Sequence, residues 1–119
     1  MSQTKQKFIG NTGEALAKNF LTKNRFKILD QNFSCRYGEI DIIAQKKDTV
    51  HFVEVKTRSS IDDDPESFIH LAKQSRMKSA AQWYVVEKDW KNYYYSFDVI
   101  CIIMNTSPEI IYYENAFAL

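Results

Sequence analysis

Apolar positions change period several times along this chain, and each change predicts an element. In "GNTGEALAKNFLTKNRF" (10–26), Ala17 and Leu21 lie four apart, as do Leu16 and Phe20, which predicts a helix with one apolar face. Gly10 and Gly13 lie on one side of that helix, where missing side chains permit close backbone approach. Asn11 and Glu14 also match a capping box, so the helix starts either before Gly10 or after it. Period-two patterns follow: a first strand at "FKILDQNF" (26–33), then a hairpin of "GEIDIIAQ" and "TVHFVEVK" around a polar turn at Lys47-Asp48. "SSIDDDPES" (59–67) reads as a loop, with Pro65 placed near a helix start. "FIHLAKQSRMKSAAQWYVVEK" (68–88) predicts a long amphipathic helix with apolar Leu71, Met77, Ala81, Trp83, Tyr84 and Val85. "KNYYYSFDVICIIM" (91–104) predicts a strand buried from Val99 to Met104, and "EIIYYENAF" (109–117) a last strand. The order α-β-β-β-α-β-β defines an α/β or α+β domain with a mixed central sheet flanked by helices.

Within the hairpin, acids interrupt apolar strands. Side chains alternate across a strand, so Phe52, Glu54 and Lys56 share one face while His51, Val53 and Val55 take the other. A two-residue turn at Lys47-Asp48 sets Asp41 opposite Glu54, with β-carbons about 5 Å apart; a three-residue turn breaks that register. Two acids so close in a half-buried sheet repel, and either a shared proton or a divalent cation relieves them. Carboxylates are hard oxygen ligands of the kind magnesium and manganese favour. With Lys56 alongside, the set suits metal-assisted phosphodiester hydrolysis. The competing reading is a solvent-facing hairpin with an incidental Glu54–Lys56 ion pair. Glu39 would share the Asp41 face, as an accessory acid or a strand-end charge.

Composition narrows the class. At 119 residues, 45% hydrophobic and 26% charged, the chain suits one domain able to bury a core without disulfides or structural metals. No apolar run approaches the roughly 18 residues that span a bilayer. The N-terminal stretch lacks the apolar core of a signal peptide, so a cytoplasmic protein is expected. Cys35 and Cys101, like His51 and His70, are isolated in sequence, which argues against zinc and disulfide frameworks. They are expected to be packing cysteines and surface or half-buried histidines. A net charge of +1 hides an asymmetry. Through Arg58 there are eleven bases and six acids, a net +5; the remainder has five against nine, a net −4. A basic half is compatible with phosphate binding, as it is with solvated lysines on helix faces.

The hairpin resembles the PD-(D/E)XK nuclease signature, with Asp41 of "GEID" as the first acid and Glu54-Val55-Lys56 as the (D/E)XK element. More closely, the chain resembles the YraN family of small bacterial proteins, which are similar in fold to archaeal Holliday-junction resolvases. The resemblance runs nearly end to end: "GNTGEALAKNFL", "GEIDIIA", "FVEVKTR", Lys73, "FDVI" and the closing "ENAF". It implies a restriction-endonuclease-like core. It also implies Asp41 and Glu54 as ligands of Mg2+ or Mn2+, the Val55 carbonyl as a third ligand, and Lys56 as the catalytic lysine. Glu14 would be the helical acid completing the site; a capping or surface glutamate is the alternative. Lys73 and Gln74 would face the site or the phosphates of bound nucleic acid. Arg58 is placed to bind backbone phosphate or to stand solvated, and Thr57 and Ser59 to help by hydrogen bonding.

Two positions depart from the family pattern. Ser96 stands where Arg is common before "FD", and Asn24 stands where Gly commonly ends the first helix, in a left-handed conformation that Asn tolerates. The expected activity is a metal-dependent DNA endonuclease acting on branched or single-stranded DNA, working as a symmetric homodimer. A non-catalytic nucleic-acid-binding or adaptor protein retaining the fold is the alternative, and a small interaction protein a third. The aromatic residues Trp83, Tyr84, Trp90 and Tyr93 to Tyr95 would supply an interface, a base-stacking surface or plain packing.

Overall fold

The structure is a computed structural model that describes the backbone of residues 3–59 and 71–118, and side chains within 12–59 and 71–118. The expected acidic loop from 60 onward, the helix start at Pro65, and His70 lie outside the described residues. Elements run α1 (Gln3–Lys23), β1 (Lys27–Cys35), β2 (Gly38–Lys46), β3 (Thr49–Arg58), α2 (Leu71–Glu87), β4 (Tyr94–Ile103) and β5 (Glu109–Phe117). The predicted order α-β-β-β-α-β-β is the observed one. The sheet is mixed, in spatial order β1-β2-β3-β4-β5, with only β3 and β4 parallel. That parallel pair requires a crossover, which α2 supplies.

Each helix buries a stripe on one face of the sheet. Ala17 and Leu21 of α1 meet Ile42, Ala44, Val53, Ile100 and Ile102. Met77, Ala80, Ala81 and Tyr84 of α2 meet Ile40, Ile43, Phe52, Phe97 and Val99 on the other face. Leu71, assigned from its sequence to the apolar stripe, is 82% exposed, because the buried stripe of α2 starts only at Met77, nearly two turns further on. Aromatic packing takes up most of the tyrosine- and tryptophan-rich stretch. Trp83 tilts against Phe33 at 5.7 Å, Trp90 meets Tyr93 edge-on at 4.9 Å, and Tyr84 is buried, whereas Tyr94 is 71% exposed.

α1 begins before Gly10, so the capping-box alternative at Asn11 and Glu14 does not hold. Its other end closes with the Phe26 N–H donating to the Leu21 carbonyl and the Arg25 N–H to that of Thr22. This is a Schellman pattern, and it puts the left-handed residue at Arg25 (φ 70°) rather than at the expected Asn24. Asn24 occupies the cap itself, where its side-chain amide donates to the Phe20 carbonyl at 2.8 Å.

Two glycines bring the helices close to the strands that carry the acids. A Cβ on Gly38 would meet the Arg76 backbone oxygen at 3.1 Å, and one on Gly13 would meet Thr57 Oγ1 at 2.3 Å. The close approach expected at Gly13 is therefore real; the surroundings of Gly10 lie outside the described side chains. Replacing an unconstrained helical glycine by alanine gains up to about 1 kcal/mol, but overpacking costs about 1–3 kcal/mol. Gly13→Ala is accordingly expected to lose about 1 kcal/mol of stability in denaturant unfolding. Adding Thr57→Ala should restore it by vacating the space.

Candidate active site

The hairpin turn has two residues, and β2 and β3 pair from Lys46↔Thr49 to Ile42↔Val53. Asp41 lies one step beyond the last pair. Here β2 twists: Ile40 packs with the α2-side cluster and Ile42 with the α1-side cluster, although simple alternation would keep them together. Asp41 therefore stands between the two faces. Its carboxylate replaces the missing ladder bond, with Oδ2 accepting the Val55 N–H at 2.8 Å. In an extended strand the N–H and C=O of one residue point to the same edge. The Val55 carbonyl thus faces the Asp41 side as well, past the end of the β2–β3 ladder.

Glu54 projects toward α2, on the face shared with Phe52 and Lys56, and is 3% exposed. Lys56 Nζ lies 3.3 Å from Glu54 Oε1, and Lys73 Nζ, from the first turn of α2, forms a short ion pair with the same oxygen. Lys73, expected to face the site or the phosphates, is thus part of the carboxylate cluster itself. Burial would lower the Lys73 pKa, but its hydrogen bond to Glu54 and the charges of Glu54 and Asp41 outweigh this and raise it. Burial and the charge of Glu54 push the Asp41 carboxyl up to about 7; Glu14 adds to the rise, while the Val55 N–H and Lys73 oppose it.

Glu14 of α1 is half-buried and close enough to act on Asp41 electrostatically. It is held from β1: the Asn32 amide, oriented with its nitrogen inward, donates to Glu14 Oε2 at 3.1 Å and Oε1 at 3.3 Å. Asn32 has φ 50°, a left-handed geometry that asparagine tolerates. It was not foreseen from sequence, since a polar residue on an edge strand gives no sign of which helix it will face. A cleft of about 240 Å³ lined by Asn32, Ser34, Glu39, Ile40 and Asp41 opens beside these groups, so Glu39 borders the site.

Arg58 and Gln74 are half-buried, and the Arg58 guanidinium donates to the Thr57 carbonyl at 3.2 Å. The Thr57 side chain faces Gly13, away from Lys56. Among the described residues, no group of three or more His, Cys, Asp or Glu is gathered tightly enough to hold a metal ion unaided. The oxygen donors at hand are the Asp41 and Glu54 carboxylates and the Val55 carbonyl, with Glu14 further out.

A second polar cluster lies on the α1 face. His51, expected at the surface or half-buried, is 3% exposed, and its Nδ1 sits 2.6 Å from Oδ2 of the fully buried Asp98. The correction has a physical cause: β3 is central, so both of its faces are covered, and the polar ring is admitted because a carboxylate meets it. Ser96 Oγ donates to Asp98 Oδ1 at 2.5 Å, the Asn115 N–H donates to Oδ1 at 2.9 Å, and the Tyr112 hydroxyl donates to Oδ2. Ser96, the departure noted above, thus supplies one of the bonds to Asp98. Burial and the Asp98 charge hold the Tyr112 hydroxyl far above its usual range, so it stays a donor. The available signal was an acid in mid-strand between Phe97 and Val99. Its partner followed only from the parallel register, which sets Val53 beside Asp98 and His51 beside Ser96.

The fold and site define an α+β protein with a mixed five-stranded sheet and a carboxylate–lysine cluster where its central hairpin splays. The chain belongs to the uncharacterised protein family UPF0102, whose profile matches residues 13–102. This bears out the YraN resemblance. A UPF0102 protein of Clostridium tetani is 47% identical over 100 residues, 83% of this chain and 82% of the relative. One of Caldicellulosiruptor saccharolyticus is 42% identical, covering 87% and 88% of the two chains. One of Caldanaerobacter subterraneus is 37% identical over 98% of this chain and the whole of the relative. Among the described residues no helix is long and apolar enough to cross a membrane.

Proposed function

We propose that this protein is a magnesium- or manganese-dependent endonuclease that hydrolyses phosphodiester bonds in branched or single-stranded DNA. The observation that carries the reading is the strained pair Asp41 and Glu54, whose burial and mutual charge push Asp41 up to about 7 with a lysine amine alongside. The donor set suits a hard divalent cation: two carboxylates and a peptide carbonyl near the end of the β2–β3 ladder, with water completing the shell as magnesium prefers. Asp41, Glu54 and the Val55 carbonyl would hold it, with Glu14 adding charge from α1. Bound there, a divalent cation would polarise a phosphoryl oxygen and acidify a water.

The chain's own residues supply the rest. Lys56 Nζ, beside Glu54, would orient the attacking water and donate to the phosphoryl oxygens on which negative charge develops. Lys73, tied to Glu54, holds that carboxylate in place beside Lys56. Arg58 and Gln74 would contact the flanking phosphates. A symmetric homodimer would suit a symmetric branched substrate.

One observation favours the adaptor reading instead. Lys56 and Lys73 already neutralise Glu54, as in a site retained for DNA binding without chemistry. Incubation with Mg2+ or Mn2+ and linear, single-stranded, flap and four-way DNA separates the two. Cleavage is expected, falling by about 100-fold or more in Asp41→Ala and Lys56→Ala. Cleavage that survives both substitutions would remove the assigned site. Binding without cleavage under either metal would support the adaptor.

A further inference from the structure

The His51–Asp98 pair takes no part in the carboxylate–lysine site. It lies on the opposite face of the sheet, three residues and about 10 Å back along β3 from Glu54. His51 borders a cavity of about 340 Å³, within the roughly 300–1,000 Å³ usual for small-molecule sites.

Nδ1 of His51 is turned to the Asp98 carboxylate at 2.6 Å, which leaves Nε2 as the ring nitrogen able to meet a ligand. Both hydrogen bonds of His51 run through Nδ1, to Asp98 and, at 3.4 Å, to Tyr112. Among the described residues Nε2 has no partner, and no fully enclosed side-chain nitrogen or oxygen there is left unsatisfied. Nε2 is thus open to the cavity. A buried imidazole, fixed by a wholly buried acid with its other nitrogen free, is an arrangement for meeting a ligand.

The walls indicate which ligand. Phe20 and Phe26 each meet Tyr112 edge-on, at 5.9 and 6.0 Å, and Phe26 also meets the His51 ring at 4.9 Å, forming an aromatic floor. Lys46 and Lys47 stand at the mouth, Lys46 with its amine 5.0 Å from the Phe26 ring centroid. Asp48 and Glu114 also line it, so the site is not a simple anion trap. A simple anion would satisfy the lysines and be repelled by the carboxylates. A mononucleotide answers to all four features: phosphate for the lysines, a flat base for the aromatic floor, base N–H donors for the carboxylates, and a sugar hydroxyl for Nε2.

We infer that this cavity is a binding site for a nucleoside monophosphate, either free or as the phosphorylated end of a nucleic-acid strand. The inference does not depend on the proposed nuclease activity.

The test is an NMR titration of the full chain with deoxynucleoside monophosphates, unphosphorylated nucleosides, inorganic phosphate, and oligonucleotides with or without a 5′-phosphate. Saturable shifts are expected at Phe20, Asn24, Thr49 and His51. Binding should weaken about ten-fold in a Lys46→Gln/Lys47→Asn variant. Asn is chosen because Lys47 has φ 55°, which Asn tolerates. Both substitutions are peripheral, so the variant tests the site without disturbing His51; His51→Gln, used only if its unfolding midpoint is retained, should weaken binding as well. Tighter binding of the 5′-phosphorylated oligonucleotide with the same shifts would assign the site to a strand end. Equal or weaker binding would assign it to the free nucleotide. Inorganic phosphate binding as tightly as the mononucleotide would overturn the inference. So would an absence of saturation by about 10 mM, or binding unchanged in the lysine variant.

Discussion

Asp41→Asn is expected to make this protein more stable, and increasingly so as the pH rises. The native carboxyl is raised from 3.8 to about 7 by burial and by Glu54, so between those values the folded state holds a proton that the unfolded chain has lost. Stability falls with pH wherever the native state binds more protons. The cost is absent below about pH 4, grows through the window, and is complete above about pH 7. At about 1.4 kcal/mol per unit it reaches at most about 4 kcal/mol. Asparagine keeps an oxygen for the Val55 N–H and removes the charge.

Denaturant unfolding of both chains at a series of pH values should give curves that coincide in acid and separate toward pH 8. Parallel curves would show that Asp41 is not strained. Added Mg2+ should stabilise the native Asp41 chain at pH 8 and not the variant, since a ligand stabilises only the state that binds it. Such a carboxylate, retained at a loss of stability, is what a functional site looks like from the side of folding.

Asp98→Ala is expected to be the most damaging single change outside the apolar core. The Asp98 carboxylate is wholly buried and accepts from His51, Ser96, Tyr112 and the Asn115 N–H. Removing it strands four donors in or near the core, and each unsatisfied buried group costs about 1–3 kcal/mol. Water entering through the adjoining cavity would satisfy some of them, so a loss of about 3–5 kcal/mol is expected. Asp98→Asn should lose less, because one oxygen still accepts while the amide nitrogen faces donors. Equilibrium unfolding with an unchanged denaturant slope would place the effect in the native state. A loss below about 1 kcal/mol in Asp98→Ala would show the network to be incidental.

Much of this architecture was readable from the chain alone, and the reason is locality. Helix and strand periods depend on residues three or four, or two, positions apart, so the seven elements and their order follow from the pattern. The two-residue turn at Lys47-Asp48 sets the β2–β3 register through short-range backbone geometry. That register carries the two strands only to Ile42↔Val53, so the expected Asp41–Glu54 pair is not formed in the ladder: Asp41 comes near Glu54 but turns to the Val55 N–H, while Lys56 lies on the Glu54 face. The helix end was legible only to within one residue, because Asn24 and Arg25 are both compatible with the cap and the Phe26 N–H bond decides between them.

What the chain alone left open depends on contacts between distant elements. The twist of β2 at Asp41 arises where its pairing with β3 stops, and no local pattern marks that point. The placement of Lys73 on Glu54 requires α2 to settle close to β2, which Gly38 permits by leaving room for the Arg76 backbone. Asn32 reaches Glu14 only because β1 forms the edge beside α1. The sharpest case is His51: one isolated histidine and one mid-strand acid, 47 positions apart, carry no sign of each other. Parallel pairing of β3 and β4 joins them, and the register of such a pair is set by how a whole crossover packs rather than by any turn. Local sequence thus determined the elements and the nearness of the two carboxylates, while long-range packing decided how Asp41 turns and which charges the carboxylates meet.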